Sequence, residues 1–549
     1  MARESRVNGS QHFDRIKEIV LNRVERNRTV TLAQLKRILC LHFGRTYFRR
    51  RKYVDLLTHV IEYLLYTRKV IVVNPDGLNA ETVYGAVSYT TAVFNIITKE
   101  MLSMFEQNFR SNPSNLLAQN ICTMYDPFKM SLSRQIVQER QDHHYFCTKI
   151  EGSGVPISSQ KNSGRCWIFA CLNVIRVSFM KTYGIKQFEF SQAYVFFWDK
   201  IERSNHFLNT IVLVTKNGLT LSSRIVTSLL KNPIEDGGYW TMAVNIIKKY
   251  GLMPKSHFPE CYSSEDSREL NDILNSKLRE FAIVLHDMVI RGASNKQIKD
   301  EIEKDMIIVY RIVGICLDIP KPTFNWYYRS SKNQQCSYQK ITPLQFYESV
   351  VRPTYDLENK VSLVSDPRAN NRFGQLYTLD LIGNVIEGSK VVYNNQPIEV
   401  LLEACKNSIS KLNEPVWYSC EVNQKFSSEL GIEDLKIHDL ESMFGTDTSV
   451  TMTKSERMLY HDSSPTHAMV LTGFHSENDE ITRWRVENSW GPNMHIRGHI
   501  MMTTEWFKEY VFEVVVDKKL LPKHVMDVFD QEMIKLPVWD QLGTILFVK

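Results

Sequence analysis

The stretch QKNSGRCWIFACLNVIRVSFM, residues 160–180, decides how the rest of the chain is read. The turn formers of SSQKNSG (158–164) lead into a continuous apolar run that is too long for a strand, so a buried helix is expected from about Trp167 to Met180. Cys166 stands at the junction of turn and helix. Unpaired backbone N–H groups and the positive end of the helix dipole favour thiolate over thiol at such a position. Gln160, six residues earlier, is placed across the turn with a side-chain amide able to point at the same reacting atom. A cysteine is more often a small buried hydrophobe than a nucleophile, and Cys171 fits that plain role. Cys166 departs from it only if a base is supplied elsewhere in the chain.

With 549 residues the chain exceeds the size of a single core, which requires several domains or one domain with large insertions. Hydrophobic residues at 43%, aromatics at 11% and charged residues at 23% exclude disordered and fibrous classes. The N-terminal MARESRVNGSQ lacks the apolar segment of a secretory signal, and no run approaches the roughly 18 apolar residues of a membrane span. A cytoplasmic protein without a membrane partner is expected. The ten cysteines are scattered without a C-x-x-C pair, so neither a disulfide framework nor a metal or other cofactor is expected.

The charge is unevenly placed. Residues 1–90 hold 16 Lys and Arg against 8 Asp and Glu, so the whole basic excess of the +6 chain lies there. Amphipathic helices over 12–27, about 31–43 and 51–67, followed by the strand-like KVIVVNPDG, resemble a winged-helix module. Arg45, Arg49, Arg50, Arg51 and Lys52 are placed to meet nucleic-acid phosphates. A small helical docking domain with a solvated basic face accounts for the same residues, because charge alone carries no base readout. A linker is expected at 78–97, and a main body from about 95 to 549.

Within that body a helix from about residue 98 breaks near Pro113. Gly237 and Gly238 precede another helical stretch, EDGGYWTMAVNIIKKYG, where paired glycines serve a tight turn or the close approach of a ligand. Residues 265–350 read as a helical insertion interrupted by a polar, aromatic loop, PKPTFNWYYRSSKNQQ. The last 140 residues are rich in short β-type runs: EPVWYSCEV, THAMVLTGFH, RWRVENSWG and WFKEYVFEVVVDKKLLP. The fold class expected is α+β, a helical lobe followed by a β lobe.

The β lobe supplies what Cys166 lacks. His467 opens one strand and Asn488 closes another 21 residues later, so two antiparallel neighbours would set them side by side. An amide orients an imidazole without competing for its positive charge, and Trp490 is placed to shield the contact from water. Each residue taken singly has an ordinary reading as a polar residue or a turn former. Their joint occurrence in this order carries the case.

QKNSGRCW, FSQAYVFFWDK, DGGYWTMAVNIIKKYG, VVYNNQPI, THAM and WRVENSWG together resemble the papain-like cysteine peptidases, and within them the bleomycin hydrolase branch. Arg165 before the cysteine fits that branch. The resemblance covers residues 95–549 and implies a two-lobed fold and hydrolysis of N-terminal residues from peptides and bleomycin-like amides. It implies Cys166 as nucleophile, His467 as base and acid, Asn488 as orienter, and Gln160 with the Cys166 N–H as oxyanion hole. Gly237 and Gly238 would line the substrate backbone. The resemblance further implies a homohexamer in which the tail, 536–549, lies in its own cleft and the terminal carboxylate, here on Lys549, holds the substrate's amino group. The ending after Asp540 departs from the family pattern at Gln541 and Leu542. Its segment Thr544–Lys549 is bulkier and slightly longer, and two extra extended residues would add roughly 7 Å. A nucleic-acid-binding or docking protein with a peptidase scaffold is the alternative.

Overall fold

A computed structural model describes residues 96–140, 144–330, 335–448 and 451–543. The expected basic module with Arg45, Arg49, Arg50, Arg51 and Lys52, most of the linker, and the segment Thr544–Lys549 lie outside the described residues. The chain divides into two compact units after Ser111. The described part of the first contains the helix Lys99–Ser111. The second opens with Pro113–Cys122, where proline occupies the first turn and the Asn112 side chain accepts from Ser114 N at 3.0 Å.

The helix expected from about Trp167 to Met180 is observed as Cys166–Tyr183, with Cys166 as its first residue. It ends at Gly184, whose φ of 62° is the left-handed geometry that glycine adopts without strain. Trp167, Ile168, Phe169, Leu172, Val174, Ile175 and Phe179 are all at most 1% exposed, which explains the absence of a polar stripe. Around it pack Gln192–Lys216 and Trp240–Tyr250. The insertion follows as two long helices, Arg268–Ile290 and Asn295–Leu317.

One expectation is corrected here. The aromatic segment expected as a loop is an antiparallel hairpin, Phe324–Arg329 paired with Gln335–Ile341. Phe324 and Trp326 alternate with exposed neighbours, and Trp326 stacks on Tyr328 at 4.5 Å between centroids. Burial of alternate aromatic rings outweighs the polar composition.

The β part is a twelve-stranded mixed sheet among the described residues. Its central order is Lys360–Val364, Val511–Asp517, Val416–Cys420, His467–Glu477, Glu480–Glu487 and His499–Thr503. The sheet begins well before the β-rich last 140 residues, since Lys360–Val364, Gln375–Leu379 and Val392–Asn395 belong to it. WFKEYVFEVVVD splits between a helix, Thr504–Tyr510, and a strand from Val511. Both faces are buried. Trp417, Ala468, Val470 and Val515 face the core of the Cys166 helix, whereas Val416, Tyr418, Met469, Leu471 and Val514 face a second core with Trp506 and Phe507.

One buried ion pair joins the two halves: Arg176 Nη2 donates to Glu487 Oε1 at 2.6 Å, with both side chains 1% exposed. Arg176→Met is expected to destabilise the protein by about 3–5 kcal/mol, because it leaves Glu487 charged and unpaired in the interior. Denaturant unfolding checks this, and pairing the change with Glu487→Leu is expected to recover a large part of the loss.

Candidate active site

His467 is the first residue of its strand and Asn488 follows the last residue of the next, so the antiparallel register that pairs Val470 with Glu487 sets the two side chains together. His467 Nε2 lies 2.9 Å from Asn488 Oδ1. The Trp490 ring packs on the imidazole at 5.1 Å between centroids, and His467 and Asn488 are 4% and 1% exposed. Trp490 thus covers the contact as expected. Cys166 packs against the same strand, and the backbone N–H groups of Ala468, Trp167 and Cys166 itself act on its sulfur.

Gln160 joins this group from the opposite side. Its backbone N–H donates to Ser489 O at 2.8 Å and its Oε1 accepts from Ser489 Oγ at 2.6 Å. Its Nε2 donates to Ser163 O at 2.7 Å, which leaves the second amide hydrogen for another acceptor. Gln160, Asp236, Thr466, His467 and Trp490 line a cleft of about 680 Å³. A larger cavity of about 1250 Å³ against the hairpin contains none of the expected site residues.

Burial opposes the expected pull of the helix N-terminus toward thiolate. Removal from water pushes the Cys166 thiol up to about 11, against the pull of the three N–H groups, and the negative charge of Asp236 adds to the rise. Burial likewise pushes His467 down to about 4, although the bond to Asn488 works the other way and His495 adds to the fall. Burial thus works against charge on each group taken singly. Moving one proton within the pair leaves the net charge of the buried site unchanged.

The glycine pair has a packing role. A Cβ on Gly238 would lie 2.7–2.9 Å from the Trp167 ring, and Gly237 O accepts from Arg203 Nη1 at 2.6 Å. Neither contributes to the cleft lining. The residue that the sequence reading passed over is Asp236, immediately before them. It receives Gly164 N–H at 3.0 Å, Lys200 Nζ and Asn271 Nδ2 at 2.8 Å each, and Ser267 Oγ, while its backbone oxygen receives Trp167 Nε1 at 2.6 Å. This buried carboxylate clamps both sides of Cys166. Arg165 completes the turn: fully buried, it pairs with Glu260 at 2.8 Å and donates to Ser163 Oγ at 2.8 Å. An acid before paired glycines at a helix start was the visible signal, but its partners at 164, 200, 267 and 271 are not sequence neighbours.

The Peptidase C1-like family description matches residues 96–543. The chain belongs to that family. Bleomycin hydrolase of Gallus gallus is 45% identical over 452 residues, spanning 82% of this chain and 98% of its own. The Homo sapiens bleomycin hydrolase is 44% identical over the same span, and aminopeptidase C of Listeria monocytogenes is 37% identical over 453 residues, 82% of this chain and 99% of its own. The crystal structure of pepw from Lactobacillus rhamnosis superposes with a TM-score of 0.77 at 35% identity, covering 82% of this chain and 99% of that one. Membership confirms the papain-like α+β fold and makes the protein a cysteine peptidase. No described helix is long and apolar enough to cross a membrane.

Burial works to raise the Asp236 carboxyl, but the Lys200 ammonium and the hydrogen bonds from Lys200, Ser267 and Asn271 hold it well below the usual carboxylate range. Below about pH 4 the unfolded chain takes up a proton at this residue that the folded chain refuses, so folding stability falls as pH falls. Asp236→Asn is expected to lower stability by about 3 kcal/mol at pH 7 and to flatten this acid-side loss, read by thermal melts between pH 7 and 3.

Proposed function

We propose that the protein is an aminopeptidase that works through a Cys166–His467–Asn488 acyl-enzyme mechanism. The observation that carries it is the 2.9 Å contact of His467 Nε2 with Asn488 Oδ1, on strands packed against the helix that Cys166 begins. Asn488 holds His467 with Nε2 protonated, leaving Nδ1 as the basic nitrogen. His467 takes the thiol proton as the sulfur attacks the carbonyl carbon, then gives it to the departing amine. A water deprotonated by the same imidazole hydrolyses the thioester. The Cys166 N–H and the second hydrogen of Gln160 Nε2 receive the oxyanion, each worth on the order of 3 kcal/mol.

Restriction to N-terminal residues fits the names of the relatives, aminopeptidase C and bleomycin hydrolase, and extends the substrate class to bleomycin-like amides. The course of the tail supports it further. Ile534–Leu536 pairs in parallel with Gln375–Leu379, Arg368 holds Asp540 at 2.7 Å, and Tyr239 donates to Leu542 O at 3.1 Å. Tyr239 follows the Gly238 that packs on Trp167, which ties Leu542 to the segment beside the Cys166 helix, and in this reading the Lys549 carboxylate holds the substrate's amino group. Homohexameric assembly belongs to the same reading, supported by apolar side chains exposed on the insertion helices: Ile273, Ile283, Ile290, Ile307 and Ile315. A cytoplasmic setting is supported by nine free thiols among the described residues.

Release of a fluorophore from an aminoacyl amide is expected with wild type, with a loss of at least about a thousandfold in Cys166→Ala and in wild type given the N-acetylated substrate. Equal turnover of free and blocked substrates would overturn the aminopeptidase reading. The bulky ending is expected to be trimmed by the enzyme itself. Intact masses of purified wild type and Cys166→Ala check this, with wild type expected to be the shorter.

A further inference from the structure

Asn488 makes a third contact that the triad does not require. Its Nδ2 lies 3.1 Å from Nε2 of His495, and His495 Nδ1 lies 2.7 Å from the backbone oxygen of Ser428. Two backbone groups settle the direction of every bond in this row. Ser489 N, which can only donate, is 2.7 Å from Asn488 Oδ1, so that atom is an acceptor and Nδ2 is the donor facing His495. Ser428 O can only accept, so His495 Nδ1 carries its proton and, in the neutral ring, Nε2 is a lone pair. The row therefore runs from His467 Nε2–H to Asn488 Oδ1, then from Asn488 Nδ2–H to His495 Nε2, and from His495 Nδ1–H to Ser428 O.

We propose that His495 is a positioning residue for the reaction: by accepting from Asn488 Nδ2 it locks the amide with its oxygen toward His467, and so selects the imidazole tautomer that is basic at Nδ1. This rests on the Cys166–His467–Asn488 reading and adds a fourth member to it. Without an acceptor at His495 the amide keeps only the Ser489 N–H to distinguish its two orientations. A rotated amide would present N–H to His467 Nε2 and favour the unproductive tautomer.

A protonated His495 fails in the same way. Its Nε2–H would face Asn488 Nδ2–H, two donors 3.1 Å apart. Phe426 and Trp490 pack on the ring at 5.6 and 5.4 Å between centroids and help to shut it off from water. Burial lowers the His495 pKa, while the bond to Ser428 O resists the fall. The neutral ring is thus the working form, and acid inactivates through two imidazoles rather than one.

The test uses full-length enzyme, an aminoacyl fluorophore substrate and three changes. His495→Leu removes the acceptor and is expected to lower kcat about tenfold with KM unchanged. His495→Gln offers Oε1 as an acceptor that does not titrate. It is expected to restore kcat to within about threefold of wild type, and to reduce the acid limb of log kcat/KM from a slope near 2 to a slope near 1. In an Asn488→Ala background, His495→Leu is expected to have no further effect, because the group it positions is gone. Wild-type kcat in His495→Leu, the same tenfold loss in the Asn488→Ala background, or an acid limb in His495→Gln that overlays wild type would each overturn the proposal. If His495→Leu does not fold, the slope in His495→Gln decides it. Cys166→Ala is run alongside: activity surviving there removes the catalytic reading itself, whereas an inactive Cys166→Ala with unaffected His495 variants removes only the role of His495.

Discussion

The ion pair between Arg176 and Glu487 is the constraint that the rest of the site depends on. It is buried on both sides, spans the Cys166 helix and the strand that ends beside Asn488, and joins residues 311 apart in the chain. Desolvation offsets much of its attraction, so its value lies less in net stability than in registry. With Glu487 held, the strand cannot slip. A shift by one residue would send Asn488 to the opposite face of the sheet. Burial pushes the Glu487 carboxyl upward, and the charges of Arg176 and Arg485 pull it back.

A second set of buried polar contacts acts on the other side of the cysteine. Asp236, Lys200, Asn271 and Gly164 fix the turn that delivers Cys166, and Arg165 with Glu260 fixes its last residue. Gln160 and Ser489 then bridge turn and strand directly. The cysteine and the histidine thus approach each other on supports that are themselves hydrogen-bonded and closed to water. The same exclusion of water works against charge on both Cys166 and His467.

Much of this was legible beforehand because it is local. The helix beginning at Cys166, the strand openings at His467 and the Asn488 turn are written in periodicity and punctuation. The errors fall where burial overrides local pattern. The aromatic segment at 324–341 reads as a polar loop until Phe324 and Trp326 find a core to enter. Gly237 and Gly238 read as a tight turn or a ligand contact, and the closeness of the Trp167 ring to Gly238 is not visible in the pair alone. The strands at 360–395 are too short to show a pattern of their own.

By itself the sequence determined the family and the order of helices and strands, and it pointed to Cys166, His467, Asn488 and Gln160 as a candidate set, because spacing and residue type survive without coordinates. Tertiary structure alone decided that Cys166 and His467 are shut off from water, that Asp236 clamps the turn before Cys166, and that His495 stands behind Asn488. Those outcomes depend on desolvation and on contacts between residues far apart in the chain, and neither quantity exists until the chain has folded.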